Sequence, residues 1–117
     1  MHEISIIQSM LDIAFSQAHS SETPQDHTKI HQLNLRVGEI SGVVPEALQF
    51  AFVSCTQGTI AADAKLEIEW VKAVCYCPEC QAEFTPLDWV YVCPRCDRIS
   101  REIRQGRELQ LISIEVS

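Results

Sequence analysis

Apolar residues recur at spacings of three and four over residues 3–19, which predicts a helix with one buried face. The apolar positions of this face are Ile4, Ile7, Leu11, Ala14, Phe15 and Ala18. In residues 30–37 apolar and polar positions alternate instead, which predicts a half-buried strand. The polar segment 20–28 between the two patterns is predicted to be a loop.

The same order of helix and strand follows along the chain. A helix is predicted from Pro45 to Gln57, because proline suits the first helical position and Gly58 suits the position just past the end. Residues 66–70 (LEIEW) alternate again and predict a second strand. Residues 108–116 (ELQLISIEV) predict a third strand, whose alternation changes phase midway, so that it is either buried on both faces or bulged.

Cysteines are concentrated before this last strand. Five of the six lie in residues 75–96, and four of those form two Cys-x2-Cys pairs separated by 12 residues. Two such turns aim four thiolates at one point, the tetrahedral arrangement that Zn(II) prefers. The predicted zinc ligands are Cys77, Cys80, Cys93 and Cys96. Four thiolates with no open position predict a structural metal, which replaces a core that so short a segment cannot build.

Other interpretations of the cysteines exist. A rubredoxin-like iron site uses the same ligand set, and a redox dithiol or two disulfides are further alternatives. Cys75 is interpreted as a strand residue or an adventitious thiol, and Cys55 as a small core residue. Residues 89–92 (WVYV) are expected to lead into the second pair as a short strand.

These elements predict an α+β fold. Two helices pack on a small three-stranded mixed sheet, and the cysteine segment is an inserted zinc-ribbon module. The last strand is too apolar to stand alone, so we expect it to return to the sheet. The expected domains are residues 1–72 plus 106–117, and the zinc-binding ribbon 73–105.

Composition and charge narrow the function classes. The net charge of −7 argues against nucleic acid and anionic membrane surfaces as partners. Five arginines in residues 73–107 are balanced by five acidic residues. No apolar run approaches the roughly 20 residues of a membrane span, and the N-terminus lacks the charge pattern of a signal peptide. We therefore expect a cytoplasmic protein.

The first three residues offer a second kind of metal chemistry. The α-amine of Met1, the backbone nitrogen of His2 and the His2 imidazole can all reach one ion. Nitrogen-rich square-planar geometry suits Ni(II) and Cu(II). Glu3 and the deprotonated amide would offset the unfavourable helix dipole. The other histidines (His19, His27 and His31) show no metal-ligand spacing.

Taken together, these segments resemble the HypA/HybF family over essentially the whole chain. The resemblance rests on Met1-His2-Glu3, on residues 35–52 (LRVGEISGVVPEALQFAF), on LEIE at 66–69, on the paired cysteines and on GRELQLISIEV at 106–116. Two departures are Gln81 and Asp97, which follow the cysteine pairs where glycine is common. Glu39 matches a family motif and is interpreted either as a turn residue or as a binding residue.

The resemblance implies a function in metal delivery. Members are nickel metallochaperones of nickel–iron hydrogenase maturation, in which the N-terminal amine (Met1), His2 and the adjacent backbone bind Ni(II), Glu3 assists, and the four paired cysteines hold Zn(II). A HypB-type GTPase and the hydrogenase large-subunit precursor are the implied partners, and the chain is expected to be a monomer or a homodimer. No catalytic grouping or phosphate loop is present, so we expect no enzyme. The alternatives are a zinc-ribbon adaptor for RNA or a polymerase, and a thiol redox enzyme.

Overall fold

The structure is a computed structural model that describes residues 3–19, 29–87 and 90–117. Within these residues lie two helices and six strands. Their bounds are α1 Glu3–His19, β1 Ile30–Gly38, α2 Pro45–Thr56, β2 Lys65–Val71, β3 Val74–Cys77, β4 Ala82–Phe84, β5 Glu102–Gln105 and β6 Leu109–Val116. Neither helix of this described part has the length and apolar character that crossing a membrane requires.

The long strands form one three-stranded sheet in the order β2-β1-β6. Lys29 and Ser117 exchange backbone hydrogen bonds of 3.1 and 3.0 Å, as residues of an antiparallel pair do, so the last strand returns beside β1. Strands β1 and β2 are joined through α2, the crossover that a parallel pair needs. The predicted α+β class, with two helices and a small mixed sheet, is therefore confirmed.

Contacts divide the chain into two compact units. Unit 1 comprises residues 1–36, 43–69 and 110–117, and unit 2 comprises residues 37–42 and 70–109. In unit 1 the helices α1 and α2 pack against each other. Its core is apolar and includes the buried residues Ile7, Leu11, Ala14, Ile30, Leu33, Leu35, Leu48, Ala51 and Phe52.

Burial differs from two interpretations of the sequence. Strand β6 has no buried residue, so of the two alternatives for its change of phase, burial on both faces is excluded. On α2 the buried residue at the C-terminal end is Thr56, and Cys55 is only half-buried. Thr56 satisfies its hydroxyl within the helix by donating to the carbonyl of Phe52 at 2.8 Å.

The turn at residues 37–42 is held within unit 2 by its own backbone. The amide of Gly38 donates to the carbonyl of Glu108 at 2.7 Å, and the amide of Ile40 donates to that of Gly106 at 2.8 Å. Glu39 donates its amide to the carbonyl of Val71 at 2.8 Å. The turn thus contacts both segments through which the chain enters and leaves the cysteine region.

Candidate metal centre

A β-hairpin forms the first cysteine pair. Strands β3 and β4 run antiparallel, with Cys75 opposite Phe84 and Cys77 opposite Ala82. Cys77 is therefore the last residue of β3, and Cys80 lies in the turn that follows. Strand β5 pairs antiparallel with the other edge of β3 and completes a small three-stranded sheet.

The second cysteine pair lies in a tight turn closed by its own backbone. Cys93 donates its amide to the carbonyl of Arg98 at 2.9 Å, and Asp97 donates its amide to the carbonyl of Cys93 at 2.9 Å. An isolated bridge between Val92 and Ile99 continues the closure. The short strand expected at residues 89–92 is not continuous in the described residues 90–92. Val90 and Val92 each form one isolated bridge, and Trp89 lies outside the described residues.

The two turns bring four sulfurs together. The Sγ atoms of Cys77, Cys80, Cys93 and Cys96 all lie within 4.8 Å of one another. The Sγ atoms of Cys77 and Cys96 are 3.5 Å apart, and those of Cys80 and Cys93 are 3.9 Å apart. Sulfurs placed tetrahedrally at about 2.3 Å from Zn(II) are about 3.8 Å from each other. The cluster therefore has the donors and the spacing of a four-thiolate metal site.

The surroundings of the sulfurs set their proton affinities apart. Hydrogen bonds from the backbone amides of Arg95 and Cys96 lower the pKa of the Cys93 thiol to about 7. Burial, together with hydrogen bonding to the other thiols, raises the pKa of Cys80 to about 12. The metal-free cluster therefore favours a thiolate at Cys93 while Cys80 keeps its proton. A metal must displace protons to bind all four sulfurs, so its affinity falls as the pH falls.

Residues other than the cysteines hold the two turns in place. The hydroxyl of Ser100, which is buried, donates to the carbonyl of Tyr76 at 2.6 Å and accepts from the amide of Glu102 at 3.2 Å. The guanidinium of Arg104 lies 4.0 Å from the centre of the Tyr76 ring. No sequence pattern marks Ser100, because a single serine has neither a periodicity nor a motif of its own.

The positions after the two cysteine pairs are in the left-handed region. Gln81 has φ 50° and Asp97 has φ 60°. The turns therefore keep the backbone that glycine usually supplies, although both residues carry a Cβ that disfavours it. Aspartate tolerates this region better than glutamine, because its short side chain bonds locally to the backbone.

We expect Gln81→Gly to stabilise the metal-loaded protein by about 0.5 kcal/mol. Removal of the Cβ relieves about 1–2 kcal/mol of strain in the left-handed conformation. Glycine also raises the conformational entropy of the unfolded chain, which lowers the stability by about 0.5–1 kcal/mol. Asp97→Gly is the matched variant and should change stability less. Guanidinium unfolding of both variants checks this expectation, and a loss of stability in Gln81→Gly would contradict it.

Cys75 does not belong to the sulfur cluster. It lies in β3, is fully buried, and is absent from the group of four within 4.8 Å. Burial raises the pKa of its thiol, and the positive charge of Arg107 offsets part of that rise. The interpretation of Cys75 as a strand residue is confirmed.

The predicted N-terminal site is described only in part. Met1 and His2 lie outside the described residues. Glu3 is the first residue of α1, is half-buried, and accepts a hydrogen bond on Oε2 from the amide of Val44 at 3.2 Å. No sequence pattern marks Val44 as this partner, because it contributes only a backbone amide.

Comparison with known proteins assigns the chain to one family. The sequence model described as "Hydrogenase/urease nickel incorporation, metallochaperone, hypA" matches residues 1–116. The chain belongs to the HypA family. A hydrogenase maturation factor HypA from a Picosynechococcus species is 47% identical over 116 residues, covering 99% of each chain. Its counterpart from Chloroflexus aurantiacus is 42% identical over 116 residues, covering 98% of each chain.

Solved HypA structures have the same fold. The solution structure of the Ni metallochaperone HypA from Helicobacter pylori has a TM-score of 0.64 and 28% identity, covering 98% of this chain and 97% of that one. A second HypA solution structure has a TM-score of 0.60 and 29% identity, covering 98% and 95%. The resemblance inferred from the sequence is confirmed, and the family is one of maturation metallochaperones rather than catalytic enzymes.

Proposed function

We propose that this chain carries Ni(II) and delivers it to the large-subunit precursor of a nickel–iron hydrogenase. The observation that carries the proposal is its membership of a nickel-incorporation family over residues 1–116, beginning at Met1-His2-Glu3. A delivery protein needs an exchangeable site, and a site built from three residues at a chain terminus supplies one. The cysteine cluster has four donors and offers no such open position.

The two metals would be bound by different residues. The α-amine of Met1 and the backbone and imidazole nitrogens of His2 would bind nickel as cargo, with Glu3 assisting. The nitrogen donors suit Ni(II), whereas the four thiolates of the cysteine cluster suit Zn(II). Zn(II) at Cys77, Cys80, Cys93 and Cys96 would supply the stabilisation that the small second unit lacks in apolar core.

The partners and compartment follow from this assignment. We propose that a HypB-type GTPase supplies the nucleotide hydrolysis, since the chain contains no phosphate-binding loop. Transfer to the precursor would take place in the cytoplasm, with the chain acting as a monomer or a homodimer. The acidic net charge of −7 suits a carrier of cations better than a nucleic-acid adaptor.

Substitution of His2 tests the nickel assignment. In His2→Ala we expect nickel affinity to fall by more than about 100-fold, because loss of a ligand exceeds the 10–100-fold loss typical of outer-shell changes. Zinc content should stay unchanged, because its four donors lie elsewhere. Nickel titration with X-ray absorption on the zinc-loaded protein measures both metals.

The matched control is His31→Ala. His31 is exposed on β1, where its Nε2 lies 2.6 Å from the Ser117 hydroxyl. That variant should bind nickel as the unsubstituted chain does. Unchanged nickel affinity in His2→Ala would refute the assignment, as would a matching loss in His31→Ala.

A further inference from the structure

The hydroxyl of Ser100 lies between the two cysteine turns of the metal centre. Ser100 is 6% exposed, and its Oγ donates to the carbonyl of Tyr76 at 2.6 Å and accepts from the amide of Glu102 at 3.2 Å. The carbonyl of Glu102 is a second acceptor within reach, but it lies farther away at 3.3 Å. Because a hydroxyl carries one hydrogen, the shorter contact identifies Tyr76 as its acceptor.

Both sides of this arrangement lead directly to cysteines. The Tyr76 carbonyl belongs to the peptide bond that joins Tyr76 to Cys77, the last residue of β3. On the other side, the amide of Ser100 donates to the carbonyl of Tyr91 at 2.7 Å, two residues before Cys93. Ser100 therefore contacts the first cysteine turn through its side chain and the second through its backbone.

The distance between the two turns decides whether four sulfurs can share one metal ion. The Sγ atoms of Cys77 and Cys96 are 3.5 Å apart. Those of Cys80 and Cys93 are 3.9 Å apart. Each of these pairs takes one sulfur from either turn, so a shift of one turn changes both distances. Groups that hold the ligands in place before the ion arrives lower the entropic cost of binding, and such partners commonly change metal affinity by about 10–100-fold.

A second side-chain bond joins the two turns, but it is exposed to water. Arg98 donates to Oε1 of Glu79 at 3.1 Å, and the two side chains are 67% and 59% exposed. Exposed ion pairs contribute little, because water and salt screen them. A hydrogen bond that is shielded from water is stronger. Of these two links, the buried hydroxyl is therefore the one that fixes the spacing.

We propose that Ser100 is a positioning residue for the metal centre, whose hydroxyl holds the turn of Cys77 against the turn of Cys93. This inference rests on the proposed assignment of Zn(II) to the cysteine cluster. The hydroxyl bonds to backbone groups, so it acts through the backbone of the ligands and is not itself a ligand. The consequence is a higher affinity for Zn(II) and a slower release of the ion than the four cysteines alone would give.

Three substitutions isolate the hydroxyl. Ser100→Ala removes it, and we expect the Zn(II) dissociation constant to rise about tenfold or more, in the range of other outer-shell partners. Ser100→Thr and Ser100→Val have the same shape, but only the first keeps a hydroxyl. We expect Ser100→Thr to stay within about threefold of the unsubstituted chain, and Ser100→Val to lose as much affinity as Ser100→Ala. Competition with a chromophoric chelator measures all three constants on the full chain.

Two further measurements separate positioning from a general loss of stability. With Co(II) in place of Zn(II), ligand-field absorption reports the geometry of the sulfur donors, and its bands should shift in Ser100→Val but not in Ser100→Thr. In the protein as purified, hydrogen exchange at the Glu102 amide should be about tenfold faster in Ser100→Val than in Ser100→Thr. The matched control is Thr56→Val, which removes a buried hydroxyl that donates to the carbonyl of Phe52 at 2.8 Å in α2. It should leave the zinc affinity and the Co(II) spectrum unchanged.

The outcomes distinguish this inference from the zinc assignment. Equal zinc affinities in Ser100→Thr and Ser100→Val would overturn the positioning role, and so would an unshifted Co(II) spectrum in Ser100→Val. A loss of affinity in Thr56→Val as large as in Ser100→Val would overturn it as well. If the unsubstituted chain binds no zinc, the zinc assignment fails, while exchange at the Glu102 amide still decides whether the Ser100 hydroxyl holds the two turns together.

Discussion

In Cys93→Ser we expect unit 2 to lose its fold. Cys93 is 2% exposed, belongs to the four-sulfur cluster and carries the thiol whose pKa is lowered to about 7. Binding of structural zinc supplies about 10–16 kcal/mol in small modules of this kind, and removal of one thiolate forfeits much of it. On the proposed assignment of zinc to this cluster, zinc content should fall from one ion per chain to near zero, and the amide signals of residues 74–105 should move to unfolded positions.

Two comparisons isolate the metal as the cause. Cys55→Ser changes the same atom on α2, where the thiol is half-buried and outside the cluster, and should cost about 1 kcal/mol or less. A strong chelator added to the unsubstituted protein should reproduce the spectrum of Cys93→Ser. A well-dispersed spectrum for residues 74–105 in metal-free Cys93→Ser would contradict the structural role of the ion.

Periodic patterns located the helices and the long strands well. The first helix was predicted over residues 3–19 and occupies Glu3–His19, since its apolar positions repeat at helical spacing throughout. The second was predicted to end at Gln57 and ends at Thr56. These elements could be predicted from the sequence because each pattern lies within a single stretch of the chain.

The grouping of the four cysteines could be predicted from the sequence for a similar reason. Two close pairs predict two turns, and turns of this kind aim their sulfurs inward, so the structure brings together the four residues that the spacing singled out. The identity of the metal is a matter of donor chemistry rather than of spacing. The prediction of the N-terminal nickel site depended on the family resemblance, because three residues alone form no pattern.

Contacts between segments that are distant in sequence could not be predicted. Nothing in residues 37–42 shows that their amides bond to the carbonyls of Val71, Gly106 and Glu108, since each partner is an ordinary backbone group. The bond from the amide of Val44 to Glu3 is hidden in the same way. Sequence patterns report side-chain periodicity, and these contacts depend on backbone geometry that forms only when the chain folds.

One such contact gives the second large expected effect, in Gly38→Ala. A Cβ at Gly38 would overlap the carbonyl group of Gly106 and would lie 2.5 Å from the amide nitrogen of Arg107. All of these are backbone atoms, and the amide of Gly38 already donates to the carbonyl of Glu108 at 2.7 Å, so neither segment can withdraw without breaking hydrogen bonds. We expect a destabilisation above about 4 kcal/mol, in the range that marks a specific structural conflict.

Gly106→Ala and Gly58→Ala are the comparison variants for Gly38→Ala. Gly106 has φ 117°, and its Cβ would lie 2.7 Å from the Cα of Ala73, so that substitution should also cost several kcal/mol, about 3 or more. Gly58 has φ 74° but open space around it, so Gly58→Ala should cost only the left-handed strain of about 1–2 kcal/mol. Thermal unfolding of the three zinc-loaded variants measures the ranking. If Gly38→Ala were no less stable than Gly58→Ala, the two backbones would have room to separate, and the close crossing at Gly38 and Gly106 would not be what holds the turn at residues 37–42 in unit 2.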